Sequence, residues 1–259
     1  MTFRGRVMVL STLAWLALVG AGAKAAEVDL EIVLAVDASG SVNEQELELQ
    51  LGGVAAAFLD PSVQAAILSG PNARVAVALL VWSDSAFPKF TTDWFVLNSP
   101  QAATVFASVV AGFRSKIGIR KGIGIGGGGT AIGDAVDYAI TMIDDNGIDA
   151  PRRVVDVSGD GPETPPWFGT AMMLPQARVF ANERGVSVNG LAITSDFPHL
   201  DDWYRDNVIV GAGSFVIEAR GFSDFKRAIK EKLWREFTAF IADRGRPVSG
   251  WVRVAAKAN

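Results

Sequence analysis

The stretch LEIVLAVDASGS, residues 30–41, joins a short apolar run to a polar turn. Its first seven residues are mostly aliphatic and partly β-branched, which is typical of a strand buried on both faces of a sheet. The run ends at Asp37, and Ser39 and Ser41 follow at alternate positions. The stretch therefore predicts a buried strand whose carboxyl end carries polar side chains into the turn before a helix.

The same succession of apolar run, polar end and helical pattern recurs along the chain. Because strands alternate with helices, crossover connections and a mostly parallel sheet are expected. Residues 90–97 follow the second strand closely enough to be its antiparallel edge partner. We predict an α/β fold with a doubly wound, mostly parallel sheet, helices on both faces and one antiparallel edge strand. The predicted strands are residues 30–36, 74–82, 153–157, 186–193 and 214–217, and the predicted helices are residues 44–59, 101–113, 131–143, 172–184 and 222–242.

The amino-terminal residues have the pattern of an export signal. Arg4 and Arg6 precede an apolar stretch over residues 7–22, and small residues follow it. The stretch is shorter than the roughly 20 residues that span a bilayer, which favours cleavage over a retained membrane anchor. We predict a periplasmic or secreted protein with no stable membrane anchor after cleavage. Its parts are a signal peptide over residues 1–26, one domain over residues 27–242 and a tail over residues 243–259.

The composition excludes several classes of function. The net charge is −4 and becomes more negative when Arg4, Arg6 and Lys24 leave with the signal, which argues against nucleic-acid or anionic-membrane partners. The absence of cysteine excludes disulfides, thiol catalysis and thiolate metal sites. His199 is the only histidine, so a cluster of histidine ligands is excluded as well. Any metal site must use oxygen ligands.

The polar turn after the first strand could hold a hard cation. Mg²⁺ needs about six oxygen ligands at roughly 2.0–2.1 Å. Asp37, Ser39 and Ser41 can supply three of them from one side. Ser41 and Glu44 also fit a capping box for the following helix. Capping would explain one serine, but it would not explain Asp37 and Ser39.

Two further residues should meet this turn at the same edge of the sheet. Thr130 follows the glycine-rich run of residues 118–129 at the start of a predicted helix, and Asp160 follows the strand at residues 153–157. In open parallel sheets, ligands bind at the carboxyl ends of the strands. The sequence therefore predicts a site of oxygen ligands at that edge, made of Asp37, Ser39, Ser41, Thr130 and Asp160.

These motifs, Asp-x-Ser-x-Ser, Gly-Gly-Thr and a strand-terminal Asp-Gly in that order, resemble the metal-ion-dependent adhesion site of von Willebrand factor A domains, which have a Rossmann-like fold. The resemblance implies that Ser39, Ser41 and Thr130 coordinate Mg²⁺ or Mn²⁺ rather than Ca²⁺. It implies that Asp37 and Asp160 bind the ion directly or through water. It also implies that a Glu or Asp of a protein partner completes the coordination.

The chain is similar, over about residues 28–242, to a bacterial exported group of these proteins, the DUF1194 family, whose label transfers no function. The von Willebrand family usually has Thr-Asp-Gly after the central strand, whereas this chain has Gly159, Asp160 and Gly161. The change leaves the metal aspartate in place and alters what supports it.

Several other polar residues have two interpretations. Glu163, Trp167 and Phe168 follow Asp160 and could form a partner-binding rim, since aromatic residues are enriched at hot spots, but large aromatics are core residues just as often. An unpaired Asp156 would be costly inside an apolar strand, so we expect it to pair with Arg152 or Arg153 rather than to support the metal site.

Three further features are given their simpler interpretation. The acidic cluster of Asp201, Asp202 and Asp206 could bind calcium, but a solvated loop is favoured, and His199 is expected to lie in a loop. A G-x-G-x-x-G pattern occurs in the glycine-rich run, but no convincing strand precedes it, which disfavours dinucleotide binding.

The favoured function is an exported, non-enzymatic binding or adhesion protein that captures a carboxylate of a protein partner through a Mg²⁺-type site. The alternative is a metal-dependent hydrolase that uses the same cation to activate water. The sequence disfavours the hydrolase because no clear general base accompanies the five ligands. An intracellular chelatase-like role conflicts with the predicted signal peptide.

Overall fold

The computed structural model describes residues 26–117, 128–165 and 171–243. Residues 1–25 of the predicted signal peptide, the G-x-G-x-x-G pattern, Trp167, Phe168 and nearly all of the predicted tail lie outside these residues, whereas Ala26, the last residue of the predicted signal peptide, belongs to a short strand. The strands are β1 (Ala26–Glu27), β2 (Leu30–Asp37), β3 (Val75–Trp82), β4 (Phe90–Thr91), β5 (Phe95–Leu97), β6 (Ile148–Asp149), β7 (Arg153–Gly159), β8 (Ser187–Ile193) and β9 (Val216–Ala219). The helices are α1 (Glu44–Leu59), α2 (Pro61–Ile67), α3 (Pro100–Ala111), α4 (Arg114–Ile117), α5 (Ile132–Asp144), α6 (Leu174–Glu183), α7 (Leu200–Asn207) and α8 (Phe225–Asp243), with a 3₁₀ turn at Phe222–Asp224.

The main sheet of the described residues has seven strands in the order β4-β3-β2-β7-β8-β9, with β5 also paired to β3. The five longer strands are parallel, and β4 and β5 run antiparallel to β3. This confirms the predicted mostly parallel α/β fold. The predicted edge strand is divided in two because the Thr92 hydroxyl, instead of a main-chain carbonyl, accepts a hydrogen bond from the Leu79 N–H at 3.0 Å.

Helices cover both faces of the sheet. Ile32 and Leu34 belong to the core on the side of α1, α2, α3 and α8, whereas Val33 and Ala35 belong to the core on the side of α5, α6 and α7. All eight residues of β2 are therefore buried, as a parallel strand at the centre of a doubly wound sheet requires. The central strand can then end in a buried polar group.

The acidic segment that was predicted as a loop is helix α7, so that prediction was wrong. Asp201 and Asp202 both pair with Arg205, which offsets part of the negative charge of the segment. His199 is the residue before this helix and adopts a left-handed conformation with φ of 66°. A helix of eight residues spans too few turns for its spacing to stand out in the sequence.

A buried charged network fixes α8 to the sheet. Asp156 does not pair with Arg152 or Arg153 as predicted, because its carboxylate lies 2.9 Å from the ammonium group of Lys232. The same ammonium group lies 3.4 Å from Glu236, which accepts a hydrogen bond from the Asn189 amide at 2.6 Å. The network joins β7 and β8 to the carboxyl-terminal helix.

We expect Lys232→Met to destabilise the protein by about 3–5 kcal/mol, because it removes the cation of the buried Asp156 carboxylate and leaves Glu236 with the Arg152 guanidinium, 3.4 Å away. Lys230→Met is the matched control on the same helix: Lys230 is half-exposed and pairs with Asp60 at the surface. That change should cost about 0–1 kcal/mol. Urea unfolding followed by tryptophan fluorescence measures both. Equal losses for the two variants would contradict the structural role of the network.

Candidate metal centre

Asp37 is the last residue of β2 and is fully buried. It lies opposite Trp82, whose carbonyl accepts a hydrogen bond from the Ala38 N–H at 2.8 Å. The Gln50 amide, on the buried side of α1, donates to the Asp37 carbonyl at 2.9 Å. The backbone is thus held at the point where the chain leaves the sheet, and the carboxylate position follows from it.

The turn after β2 brings four predicted ligands together. One Asp37 carboxylate oxygen, Oδ1, accepts a hydrogen bond from the Ser39 N–H at 2.7 Å. The Ser39 and Ser41 hydroxyl oxygens are 3.2 Å apart. The Ser41 hydroxyl donates to Asp160 Oδ1 at 2.8 Å, which connects the turn to the residue after β7. Two carboxylates and two hydroxyls therefore share one end of the sheet.

The capping box of α1 uses different residues from those predicted. The Asn43 side chain accepts hydrogen bonds from the N–H groups of Gln45 and Glu46, and the Glu46 carboxylate accepts one from the Asn43 N–H at 2.8 Å. The prediction of Ser41 and Glu44 for this box was wrong by two residues. As a result, the Ser41 hydroxyl is not used by the helix and contacts Asp160.

Thr130 is placed at the same edge by backbone contacts. Its N–H donates to the Thr164 hydroxyl at 2.8 Å, and its carbonyl accepts from the Thr164 N–H at 3.0 Å. The next residue, Ala131, donates to the carbonyl of Ser83 after β3 at 3.1 Å. Thr130 is buried, and hydrogen bonds connect it and Ala131 to the end of β3 and to the segment after Asp160.

Glu163, predicted for the rim of the site, holds two helix starts together. Its carboxylate accepts hydrogen bonds from the N–H of Gly133 in α5 at 2.8 Å and from the N–H of Leu174 in α6 at 2.9 Å. Burial raises the pKa of the carboxyl group, and these two N–H donors oppose the rise. These contacts make Glu163 a support for the start of α5, the helix that follows Thr130.

The buried carboxylates carry an electrostatic cost that a cation would relieve. Asp37 Oδ2 and Asp160 Oδ2 are buried, and neither has a hydrogen-bond partner in the described part of the chain. Burial, followed by the charge of Asp160, raises the pKa of Asp37 to about 7. Burial raises the pKa of Asp160 as well. Two such oxygens beside serine hydroxyls are a donor set that fits a hard divalent cation.

Hydroxyl groups are the side-chain oxygens nearest to the two carboxylates. Within residues 26–117, 128–165 and 171–243, no three His, Cys, Asp or Glu side chains are grouped so that they could hold a metal ion. Ser39, Ser41 and Thr130 are therefore the residues that could complete the oxygen set supplied by Asp37 and Asp160.

Across residues 26–117, 128–165 and 171–243, no helix has the length and apolar character needed to cross a membrane.

Sequence reasoning missed two residues at the site, Gln50 and Tyr204. A polar residue between Leu47 and Val54 on the core face of α1 is the signal that could have identified Gln50. Tyr204 lies in the segment that was predicted as a loop. It is fully buried, its hydroxyl has no hydrogen-bond partner among the described residues, and burial followed by the charges of Asp37 and Asp160 raises its pKa well above the usual value.

The sheet order and the polar cluster at its carboxyl edge give this protein the fold of a von Willebrand factor A domain. Residues 27–241 match the family described as "Protein of unknown function (DUF1194)". The chain belongs to that family. A search of curated proteins found no match.

Solved structures with this fold include surface and matrix proteins. Proximal thread matrix protein 1 from the mussel byssus is 17% identical, with a TM-score of 0.52 over 83% of this chain and 47% of that one. A second structure of it has a zinc-occupied MIDAS motif. The pilus adhesin SpaC from Lactobacillus rhamnosus GG is 14% identical, with a TM-score of 0.50 over 81% of this chain and 31% of that one. The domain of the pilus tip protein Mfa5 from Porphyromonas gingivalis is 10% identical, with a TM-score of 0.50 over 86% of this chain and 98% of that one.

The chain therefore spans about half the length of the mussel protein and about a third of SpaC. At these identities the comparisons establish the fold.

The raised pKa of Asp37 predicts the pH dependence of the metal-free protein. The unfolded chain loses this proton near the ordinary pKa of 3.8, whereas the folded protein keeps it until about 7. Because the folded state binds more protons in that interval, stability should fall as pH rises from about 4 to about 7. Asp37→Asn should weaken this dependence. Urea unfolding in chelator at several pH values measures it, and an identical pH profile in the variant would contradict the assignment.

Proposed function

We propose that the protein is an exported binding protein that uses Mg²⁺, held by Asp37, Ser39, Ser41, Thr130 and Asp160, to capture a carboxylate presented by a protein partner. The observation that carries the proposal is the pair of buried, unpartnered oxygens, Asp37 Oδ2 and Asp160 Oδ2, beside two serine hydroxyls. When bound, a divalent cation supplies the positive charge that these oxygens lack.

The position of the site suits recognition of another protein. Gly40 and Ser41 are exposed, whereas Asp37 and Ser39 beneath them are buried, so an ion held here would face the surface of the domain. Phe197, whose side chain is 48% exposed, lies beside Gly161 and so borders the metal aspartate Asp160. An exposed aromatic residue next to a charged centre is a suitable apolar contact for a partner.

The alternative, a metal-dependent hydrolase, has no specific observation in its favour. His199, the only histidine, has its imidazole 86% exposed, and its Nδ1 atom lies 3.9 Å from Asp202. Glu163 is occupied by two backbone N–H groups. These positions give neither residue the contact with the site that a general base requires. Binding is the function that the geometry supports better.

We expect Mg²⁺ or Mn²⁺ to raise the melting temperature of the wild-type protein and to leave Asp37→Asn unchanged. A ligand that binds only the folded state stabilises it by about 2.7 kcal/mol at about a hundredfold excess over Kd. Without metal, Asp37→Asn should be more stable than wild type above about pH 7, because it removes a buried charge that Asp160 repels. Differential scanning calorimetry measures both effects.

The matched control is Asp206→Ala, which removes an exposed carboxylate on α7. It should keep the full metal response. If wild type and Asp37→Asn respond equally to the metal, the proposed site does not bind it.

Capture of a carboxylate can be tested with a small probe. Acetate at tens of millimolar should raise the melting temperature of the wild-type protein further when Mg²⁺ is present, because its oxygen completes the ligand set. Acetamide has the same shape without the charge and should have no effect. Neither compound should act in chelator or on Asp37→Asn. Equal responses to acetate and acetamide would contradict carboxylate recognition while leaving metal binding intact.

A further inference from the structure

Tyr204 occupies a slot that two glycines create beside the proposed metal site. It extends from α7 onto the sheet and is fully buried. A Cβ atom at Gly190 in β8 would lie 2.7 Å from Cδ1 of the Tyr204 ring, and a Cβ atom at Gly159 in β7 would lie 2.7 Å from its hydroxyl oxygen. Because neither distance leaves room for a side chain, the ring fits only where both strands carry glycine.

The position of Gly159 also shows that the Tyr204 hydroxyl lies close to Asp37, the first aspartate of the proposed metal site. The point where a Gly159 Cβ would stand is 2.9 Å from Asp37 Oδ2 and 2.7 Å from the Tyr204 hydroxyl oxygen. Both atoms are buried, and neither has a hydrogen-bond partner among the residues that the structure describes. A buried donor and a buried acceptor without partners therefore face the same small space.

We propose that Tyr204 is a positioning residue of the metal site, whose hydroxyl donates a hydrogen bond to Asp37, directly or through one water, and holds that carboxylate in the orientation that binds the cation. The inference rests on the proposed metal site. It adds Tyr204, which lies outside the ligand motif, as a residue that supports Asp37. Gly159, where the sequence departs from the von Willebrand pattern, is the residue that admits the hydroxyl.

The cost of burying the hydroxyl favours this role over simple packing. A buried polar group without a partner destabilises the folded state, and a phenylalanine would fill the same slot without that cost. If Tyr204 served only to pack against the sheet, its hydroxyl group would not be needed. Hydrogen bonds to metal ligands orient them, and their loss typically lowers metal affinity by about 10–100-fold.

Tyr204→Phe keeps the ring and removes only the hydroxyl. We expect it to lower the affinity for Mn²⁺, measured by titration calorimetry and by electron paramagnetic resonance of free Mn²⁺, by at least about tenfold. The melting temperature without metal should stay the same or rise, because the variant removes an unpartnered buried group. A purely structural role predicts an unchanged affinity for Mn²⁺, so the affinity distinguishes the two roles. The matched control is Tyr138→Phe, since Tyr138 is the other tyrosine of the chain and is 40% exposed on α5.

A spectroscopic measurement reports the hydroxyl itself. With ¹³C at the tyrosine Cζ atoms, the chain gives two signals, one from Tyr138 and one from Tyr204. Diamagnetic Mg²⁺ should shift the Tyr204 signal as the hydrogen bond forms, and the Tyr138 signal should stay in place. The Asp37→Asn protein should lose the response.

A second variant tests the slot. Gly159→Ala should weaken Mn²⁺ binding, because its methyl group would press on both the hydroxyl and Asp37. Combination with Tyr204→Phe should restore part of the affinity that Gly159→Ala loses. If the wild type binds Mn²⁺, Asp37→Asn does not, and Tyr204→Phe binds as tightly as the wild type, the role of Tyr204 is refuted and the metal site stands. If the wild type binds no Mn²⁺, the metal site itself fails.

Discussion

The burial of the Asp37 carboxylate at the end of the central strand is the constraint around which the site is arranged. An ionised carboxylate away from water is costly unless it is paired or binds a cation. Its oxygen Oδ1 is satisfied by the Ser39 N–H, whereas Oδ2 has no partner in the described chain. Asp160 lies near enough to raise the pKa of Asp37 further. The fold therefore encloses two carboxyl groups whose charged forms are costly, and a divalent cation would favour those forms.

The doubly wound sheet makes that burial possible. Parallel neighbours on both sides and helices on both faces enclose β2 along its whole length, and its end is enclosed with it. The neighbouring strand β7 brings Asp160 to the same edge, and the segment after Asp160 pairs with Thr130. Glu163 fixes the starts of α5 and α6 through their N–H groups. The candidate ligands depend on the sheet order for their distances and on the helix starts for their orientation.

The domain treats its two groups of buried charges differently. Asp156 and Glu236 have the ammonium group of Lys232 between them, and the Arg152 guanidinium lies 3.4 Å from Glu236, so the protein itself supplies two cations for the two carboxylates. Asp37 and Asp160 have hydroxyl and N–H donors around them instead of a lysine or arginine of the described residues. The first group joins a helix to the sheet, and the second has the electrostatic properties of a binding site. A balanced cluster supports a fold, whereas an unbalanced one is suited to a ligand.

The sequence by itself determined the order of the five longer strands and of five helices, the parallel sheet and the candidate ligands Asp37, Ser39, Ser41, Thr130 and Asp160, because apolar runs with polar ends depend on local periodicity. It did not reveal the capping box at Asn43, the pairing of Asp156 with Lys232, or the approach of Tyr204 to Asp37. These contacts join residues whose partners are chosen by helix packing and by the exact turn geometry. Gly159 shows the difference best: the sequence marked it as a departure, and only the tertiary structure shows which side chain its missing Cβ admits.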